Sequence, residues 1–404
     1  MASGKGMFDG VRVVELAQYV FAPGAGTLLA DQGAEVIKVE LTGKGDPYRS
    51  LKIGDGRETK SGNLAMEQNN RGKKSIALDL KSDAGRKAVL DLIATADVFL
   101  TSLRPKALVS LRLDVDDVRA ANPKIIYARG NALGYKGKQI NKPGFDGSAF
   151  WARGGAAFTM SPPGQPLTPS RPAMGDHLGS MNLAFGIASA LFRRAMTGEP
   201  AVIETSLLST AVWMLSSDIT YSQVDEYVVH RSNAAKLPLI GAYPTKDGRL
   251  IQLMLLDPQP FWPTLCKMLG KPEMADDPRF VDNPARLANA ADLTTALREL
   301  FAARDWAEWQ PIFDPWDAPW ELVRNIHEVA ADPEAIANGL YIDIPMPDGN
   351  KIKAVTGPVL FDGSAMAIAP QRAPDLGEHT DELLRSAGYS DEQVAELKAA
   401  GAAQ

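Results

Sequence analysis

An α/β fold with a mostly parallel sheet is predicted by two features of the first third of the chain. Short β-branched runs recur at residues 11–16 (VRVVEL), 36–41 (VIKVEL), 75–80, 98–101 and 125–129 (IIYAR), and helix-spaced apolar residues fill 25–32 and 84–94 between them. Strands alternating with helices require right-handed crossovers, which put helices on both faces of one sheet. The first run ends in a loop holding Pro23 and Gly24, residues that interrupt regular structure. Residues 131–175 then lose any clear period, but Tyr135, Phe145, Phe150, Trp151 and Phe158 argue against disorder there. A helix is expected over 177–196, a strand over 203–207, and another helix toward 217.

Residues 224–329 read as a second block, with a turn and strand at 246–255 followed by Trp- and Pro-rich helices. The tail returns to sheet-and-turn chemistry and closes with two short helices. Ser390 and Gln393 form a capping box for the last, and Gly401 lies near its end. The expected division is a large domain over 1–222, a small domain over 223–330, and a return to the large domain over 331–404.

Composition narrows the function. Lys and Arg total 43 against 49 Asp and Glu, a net charge of −6 that gives no support for a nucleic-acid partner. The most apolar helical run, at 183–192, is far short of the roughly 20 residues that cross a bilayer, so no membrane role is expected. Cys266 is the only cysteine, which precludes an intrachain disulfide and fits a reducing, cytoplasmic compartment; its apolar neighbours make it a buried filler. No His, Cys and Asp cluster has metal-ligand spacing, so no metal is expected. His230 and His327 are isolated.

Gly24-Ala25-Gly26 between a strand and a helix, with Glu40 ending the next strand, invites a nicotinamide reading. The spacing opposes it. Residues 17–23 separate the strand end from Gly24, and bulky Leu29 stands at the third glycine position.

Several strings together resemble the family III CoA-transferases, a family that also includes the α-methylacyl-CoA racemases. They are APGAGTLLADQGAEVIKVE (22–40), NNRGKKSIALDLK (69–81), ADVFLTSLRP (96–105), KPGFD (142–146), MGDHLGSM (174–181) and APDLGEHTDELL (373–384), in order along the chain. The resemblance implies a Rossmann-like domain built from both chain ends, a smaller α+β domain from the middle, and a homodimer of interlocked rings. It also implies acyl-CoA and a carboxylic acid as substrates, with no covalently bound cofactor.

By the same resemblance, Asp176 is the nucleophile that carries the acyl group, with Gly175 beside it. A carboxylate with an ordinary pKa of about 4 is already ionised at neutral pH and needs no general base. Read from the residues alone, Asp176 caps a helix starting near His177, and Gly175 and Gly179 would let a thioester approach the backbone. Asp146 falls where a transferase glutamate orients the reacting groups; its local alternative is an Asx turn. Val20 stands where formyl-CoA transferases have a glutamine, which argues against a formyl substrate.

For CoA, the resemblance points to the regions of Arg71, Lys73, Lys74, Ser102, Leu103 and Arg104, with Pro23 nearby. Arg forks suit phosphate oxygens. Leu41 replaces an arginine that often stacks on adenine, and Lys44 is a candidate substitute. Phe145, Trp151 and Asp257 are expected to line the acyl pocket. The racemases read Gly-His-Asp where this chain has Phe145 before Asp146, and Phe145 cannot move a proton. Asp257 and His177 are the features a racemase or epimerase would use. A transferase is the favoured reading, ahead of a racemase, a nicotinamide-dependent oxidoreductase and a non-catalytic CoA-binding homologue.

Overall fold

Val13 and Val14 project from opposite faces of the first strand, and each enters a separate hydrophobic core. The computed structural model describes residues 6–51, 63–162, 164–224 and 237–404, so His230 lies outside the described residues. The first unit begins β1 (Arg12–Leu16), α1 (Phe21–Asp31), β2 (Glu35–Glu40), α2 (Leu64–Asn70), β3 (Lys74–Ala77) and α3 (Asp83–Ala94). It continues β4 (Val98–Thr101), α4 (Pro105–Leu111), α5 (Val115–Ala121), β5 (Ile126–Asn131), α6 (Ala156–Thr159), α7 (Met174–Thr197), β6 (Val202–Ser206), α8 (Leu207–Met214) and α9 (Ser216–Tyr221).

The six strands pair in the order β3-β2-β1-β4-β5-β6, every neighbour parallel. That order reverses between β1 and β4, so a crevice opens beyond the carboxyl ends of those two strands. On one face Val14, Ile37, Ile76 and Phe99 pack with Val89 and Leu92 of α3 and with Leu383, Leu384, Val394 and Leu397 of the tail. On the other, Val13, Val36, Val98 and Ile126 meet Ala25 and Leu29 of α1 and Leu183 and Ile187 of α7. Each such fully buried aliphatic side chain stabilises the fold by about 1.5–3 kcal/mol.

The chain divides into two compact units. One comprises Met1–Met160, Leu167–Tyr227 and Pro333–Gln404; the other comprises Ser161–Pro166 and Val228–Asp332. The second unit holds β7 (Ile240–Pro244), β8 (Leu250–Met254), α10 (Trp262–Met268), α11 (Asn283–Ala288), α12 (Ala290–Phe301), α13 (Trp306–Phe313), β9 (Trp320–Leu322) and α14 (Ile326–Ala330). Its sheet runs β7-β8-β9 and is antiparallel. Its core gathers Trp262, Leu297, Phe301, Trp309 and Phe313. Cys266 is buried in that core, where burial pushes the thiol up to about 12. The first unit resumes with α15 (Pro333–Ala337), the hairpin β10 (Tyr341–Pro345) and β11 (Lys351–Val355), then α16 (Thr380–Ser386) and α17 (Asp391–Ala399). Ser390 and Gln393 cap α17 reciprocally. Among the described residues no helix is long and apolar enough to cross a membrane.

Two helix starts differ from the sequence expectation. The helix expected at residue 25 begins at Phe21, because Pro23 falls in its first turn, where a missing N–H costs nothing. Gly24 and Gly26 therefore lie inside α1 rather than in a strand–helix turn. A Cβ on Gly24 would stand 2.4 Å from Ser180 Oγ, and one on Gly26 would stand 2.1 Å from Glu15 Oε2. Glu40 is held by Arg49 and Ser75. The dinucleotide motif is thus absent as a structure: its glycines serve packing and its acid is engaged. The helix expected at His177 begins at Met174, which puts Asp176 inside the first turn.

Candidate active site

Asp176 does not cap its helix. The cap position of α7 belongs to Ala173, in the left-handed region at φ 58°, and no side chain caps the turn. The Asp176 carboxyl is half-buried and has no hydrogen-bond or ion-pair partner among the described residues; only its backbone carbonyl is used, accepting from Ser180 Oγ at 2.8 Å. Burial, with the negative field of Asp146 added, pushes its pKa up to about 7. This corrects the expectation of an ordinary carboxylate: half of the Asp176 carboxyls are neutral near pH 7. The N–H groups of Gly175 and Asp176 belong to the first turn, where no helical carbonyl reaches them, so donors stand beside the carboxyl.

Asp146 starts a π-helical turn, Gly147–Ala152, and accepts from the Gly147 N–H at 2.7 Å. That turn carries Phe150 and Trp151 into a third core of the first unit. Trp151 is buried and donates its indole N–H to the Thr168 carbonyl at 3.0 Å. Phe150 explains Gly175, since a Cβ there would lie 2.5 Å from Phe150 Cγ; Gly179 has the same relation to the Phe21 ring. Both glycines therefore allow close packing of α7 on aromatic rings, where the sequence suggested an approaching thioester. Phe145 is 57% exposed and meets the Tyr19 ring edge-on at 5.1 Å.

Tyr19 and Tyr48 were not singled out by sequence reasoning. Tyr19 follows β1 with φ 65°, a region few non-glycine residues adopt. Its amide donates to both Asp46 carboxylate oxygens, at 3.1 and 3.2 Å, and its ring meets Tyr48 at 6.2 Å. Tyr48 packs with Val20, Met66 and Ala173, and burial followed by the field of Asp176 pushes its phenol up to about 12. The local signal was an Asp-Pro-Tyr string, in which Asp46 caps a short 3-10 turn with Pro47 at its start.

Under these residues lies a buried ionic group. Lys38 donates to Asp46 at 2.8 Å and contacts Glu15 at 3.4 Å, while Lys73 donates to Glu15 at 2.8 Å, and all these side chains are enclosed. Lys73 also reaches the Pro23 carbonyl at 2.8 Å. Arg71 forks onto Asp31 at 2.6 and 3.0 Å and is equally buried. Arg71 and Lys73, expected near CoA phosphates, thus point inward to acids from α1 and β1. Lys74 is half-buried and pairs with Glu35 and Glu382. Pro23 is buried within α1.

Of the remaining CoA candidates, Ser102 and Leu103 lie at the crevice between β1 and β4. Ser102 Oγ accepts from the Gln18 N–H at 3.2 Å, bridging the two strand ends. Leu103 lines a cavity of about 190 Å³ with Leu16, Ala17, Glu40 and Leu41. Arg104 is exposed at the cap of α4 and donates to the Asn141 carbonyl at 3.2 Å. Lys44 is exposed on the turn after β2. Asp257 belongs to the second unit, exposed just beyond β8. His177 bonds Asn69 Oδ1 through Nε2 at 3.1 Å. No group of three or more His, Cys, Asp or Glu among the described residues is placed to hold a metal ion.

A family model described as CoA-transferase family III matches residues 8–380, and the chain belongs to that family. It is 32% identical over 405 residues to the cinnamoyl-CoA:phenyllactate CoA-transferase of Clostridium sporogenes, covering 98% of this chain and 97% of the relative. It is 31% identical to the (R)-2-hydroxy-4-methylpentanoate CoA-transferase of Clostridioides difficile, covering 97% of this chain and 98% of that one. Among solved structures, a CAIB/BAIF family protein from Brucella suis superposes with a TM-score of 0.81 at 28% identity, over 95% of this chain and 100% of the other. The chain is an enzyme of the CoA-transferase class, and its named relatives give no support to a racemase.

Proposed function

We propose that the enzyme moves CoA from an acyl-CoA donor to a carboxylic acid through covalent intermediates on Asp176. The observation that carries this reading is a carboxyl in the first turn of α7 with no partner among the described residues and beside free backbone donors. The ionised oxygen attacks the thioester carbonyl, the C–S bond breaks, and CoA thiolate leaves behind a mixed anhydride. The thiolate attacks the aspartyl carbonyl, releasing the first carboxylate and forming an aspartyl-CoA thioester. The acceptor carboxylate then displaces thiolate, and thiolate takes the acceptor acyl group from the second anhydride, restoring Asp176. Charge balances at each step without a proton, and one difficult exchange becomes several easier ones.

The electrostatics favour acylation. An anionic Asp176 is opposed by burial and by Asp146, and forming an anhydride removes that charge. The Gly175 and Asp176 amides suit the oxyanion that develops at the attacked carbonyl. Ser102 and Leu103 at the strand crevice, with Arg104 and Lys44, are the proposed CoA contacts, Arg104 supplying a fork for phosphate. The relatives' phenyllactate and 2-hydroxy-4-methylpentanoate support an acceptor acid with a hydrocarbon body. The domain plan assigns CoA chemistry to 1–222 and 331–404, with 223–330 as the small domain. Exposed Phe185, Phe192 and Met196 along α7 support an interlocked homodimer. The cytoplasm, where CoA thioesters are made, is the proposed compartment.

The test is mass spectrometry of the protein incubated with acetyl-CoA, succinyl-CoA and cinnamoyl-CoA, trapped with hydroxylamine. Modification at Asp176 that vanishes in Asp176→Ala supports the covalent route. Absence of any adduct, with deuterium from heavy water entering the α-carbon of a 2-methylacyl-CoA, overturns it in favour of a racemase.

A further inference from the structure

Phenols in this fold differ in their partners, and the enclosed Tyr135 hydroxyl has no hydrogen bond among the described residues. Tyr127 donates to the Leu113 carbonyl at 2.9 Å, and Tyr389 donates to Asp91 at 2.6 Å. Tyr48 is different. It is 5% exposed, yet its hydroxyl has no hydrogen bond among the described residues. Nor is the hydroxyl fully enclosed. A polar tip on a buried ring that reaches an opening is a group awaiting a ligand.

The backbone at Tyr48 is anchored on both sides. Its backbone N–H donates to Asp46 at 2.9 Å, and its carbonyl accepts from Asn63 at 2.8 Å. Ala173, the residue before α7, packs against the same cluster, and the Asp176 and Asp146 carboxyls both act on the phenol, which puts it near the Asp176 turn. With its pKa raised to about 12, the hydroxyl remains a donor across the neutral range. The edge-on rings of Tyr19 and Phe145 extend the wall outward, with Phe145 largely open to solvent. On the Asp176 reading the first-turn amides serve the attacked carbonyl, so a further donor near that turn suits a neighbouring oxygen of the substrate.

We propose that Tyr48 determines acyl specificity, donating a hydrogen bond to an oxygen substituent on the carbon next to the reacting carbonyl, while Tyr19 and Phe145 wall an apolar acyl body. This deepens the Asp176 reading and rests on it. Tyr48 acts here as a substrate contact for 2-hydroxy acids in preference to their unsubstituted counterparts.

The experiment offers 3-phenyllactate and 3-phenylpropionate together as acceptors, with acetyl-CoA, succinyl-CoA and cinnamoyl-CoA as donors, and reads the ratio of their kcat/KM values. The native enzyme is expected to favour the hydroxy acid by about tenfold or more, and Tyr48→Phe to bring the ratio close to one. Phe145→Ala is expected to lower kcat/KM for both phenyl acids relative to acetate. A native ratio of one overturns the inference whether or not the variant folds. So does an equal loss for both acids in a folded Tyr48→Phe, which marks a carbonyl contact instead. Acylation of Asp176 without turnover of either acid overturns only this inference; failure of Asp176 to acylate overturns the covalent reading beneath it.

Discussion

Gly175 lies so close to Phe150 that a side-chain carbon on it would stand 2.5 Å from the ring. Glycine here sets the depth at which α7 begins, and hence where the Asp176 carboxyl stands. Gly175→Ala is expected to cost about 1–3 kcal/mol through overpacking, measured by denaturant melting. Because the helix start must shift, CoA transfer should fall by more than tenfold even in the folded fraction. Unchanged turnover would mean that the turn is not the reacting centre.

The raised pKa of Asp176 predicts a pH profile. Only the ionised form attacks, so kcat/KM for acyl-CoA should climb about tenfold per pH unit below the pKa and level off above about 7. Initial rates from pH 5 to 9 check this. A flat profile from pH 5 upward would place the nucleophile elsewhere.

The same shift has a stability consequence. The folded pKa of Asp176 lies above the unfolded value of 3.8, so its contribution is fully present below about pH 4 and is lost as pH rises through about 7. Asp176→Asn, which cannot ionise, should therefore be more stable than native at pH 8, by about 2 kcal/mol. The gap should be smaller at pH 5 and vanish only below about pH 4. Thermal melts of the two proteins at both values test the sign.

Two basic residues should separate fold from binding. Lys38→Met leaves Asp46 enclosed with its charge uncompensated and Glu15 with Lys73 alone, at a cost of about 3–5 kcal/mol, read by denaturant melting. Arg104→Ala, at an exposed cap, should leave the melting temperature within about 1 °C. It should raise KM for acyl-CoA by about tenfold, the loss of one charge-assisted hydrogen bond. A KM unchanged in Arg104→Ala would remove that residue from the CoA site.

The strands were legible because their side chains obey a period of two against buried faces; Val13 and Val14 report both faces within two residues. Helix starts were less so. Pro23 in a first turn and Ala173 in a left-handed cap carry no periodic signal, so α1 and α7 each begin about a turn earlier than their patterns suggest. The charges of Arg71 and Lys73 were visible, but their partners, Asp31 and Glu15, lie 40 and 58 residues away and meet them only through tertiary packing. Tyr19 and Tyr48 escaped notice for a similar reason. Their meeting depends on Asp46 holding a strained backbone, which no local spacing encodes.

Glu15, Asp46, Lys38 and Lys73 form a closed set of two acids and two bases, sealed from water beneath the Tyr19 turn. Such a set cannot drift one member at a time. A lineage that loses the Asp46 charge keeps a stranded ammonium until Lys38 also changes, and the intermediate is purged for misfolding rather than for poor chemistry. Related chains should therefore exchange these positions in acid–base pairs, while the Phe145 rim, open to solvent, is free to vary singly as acyl preferences diverge.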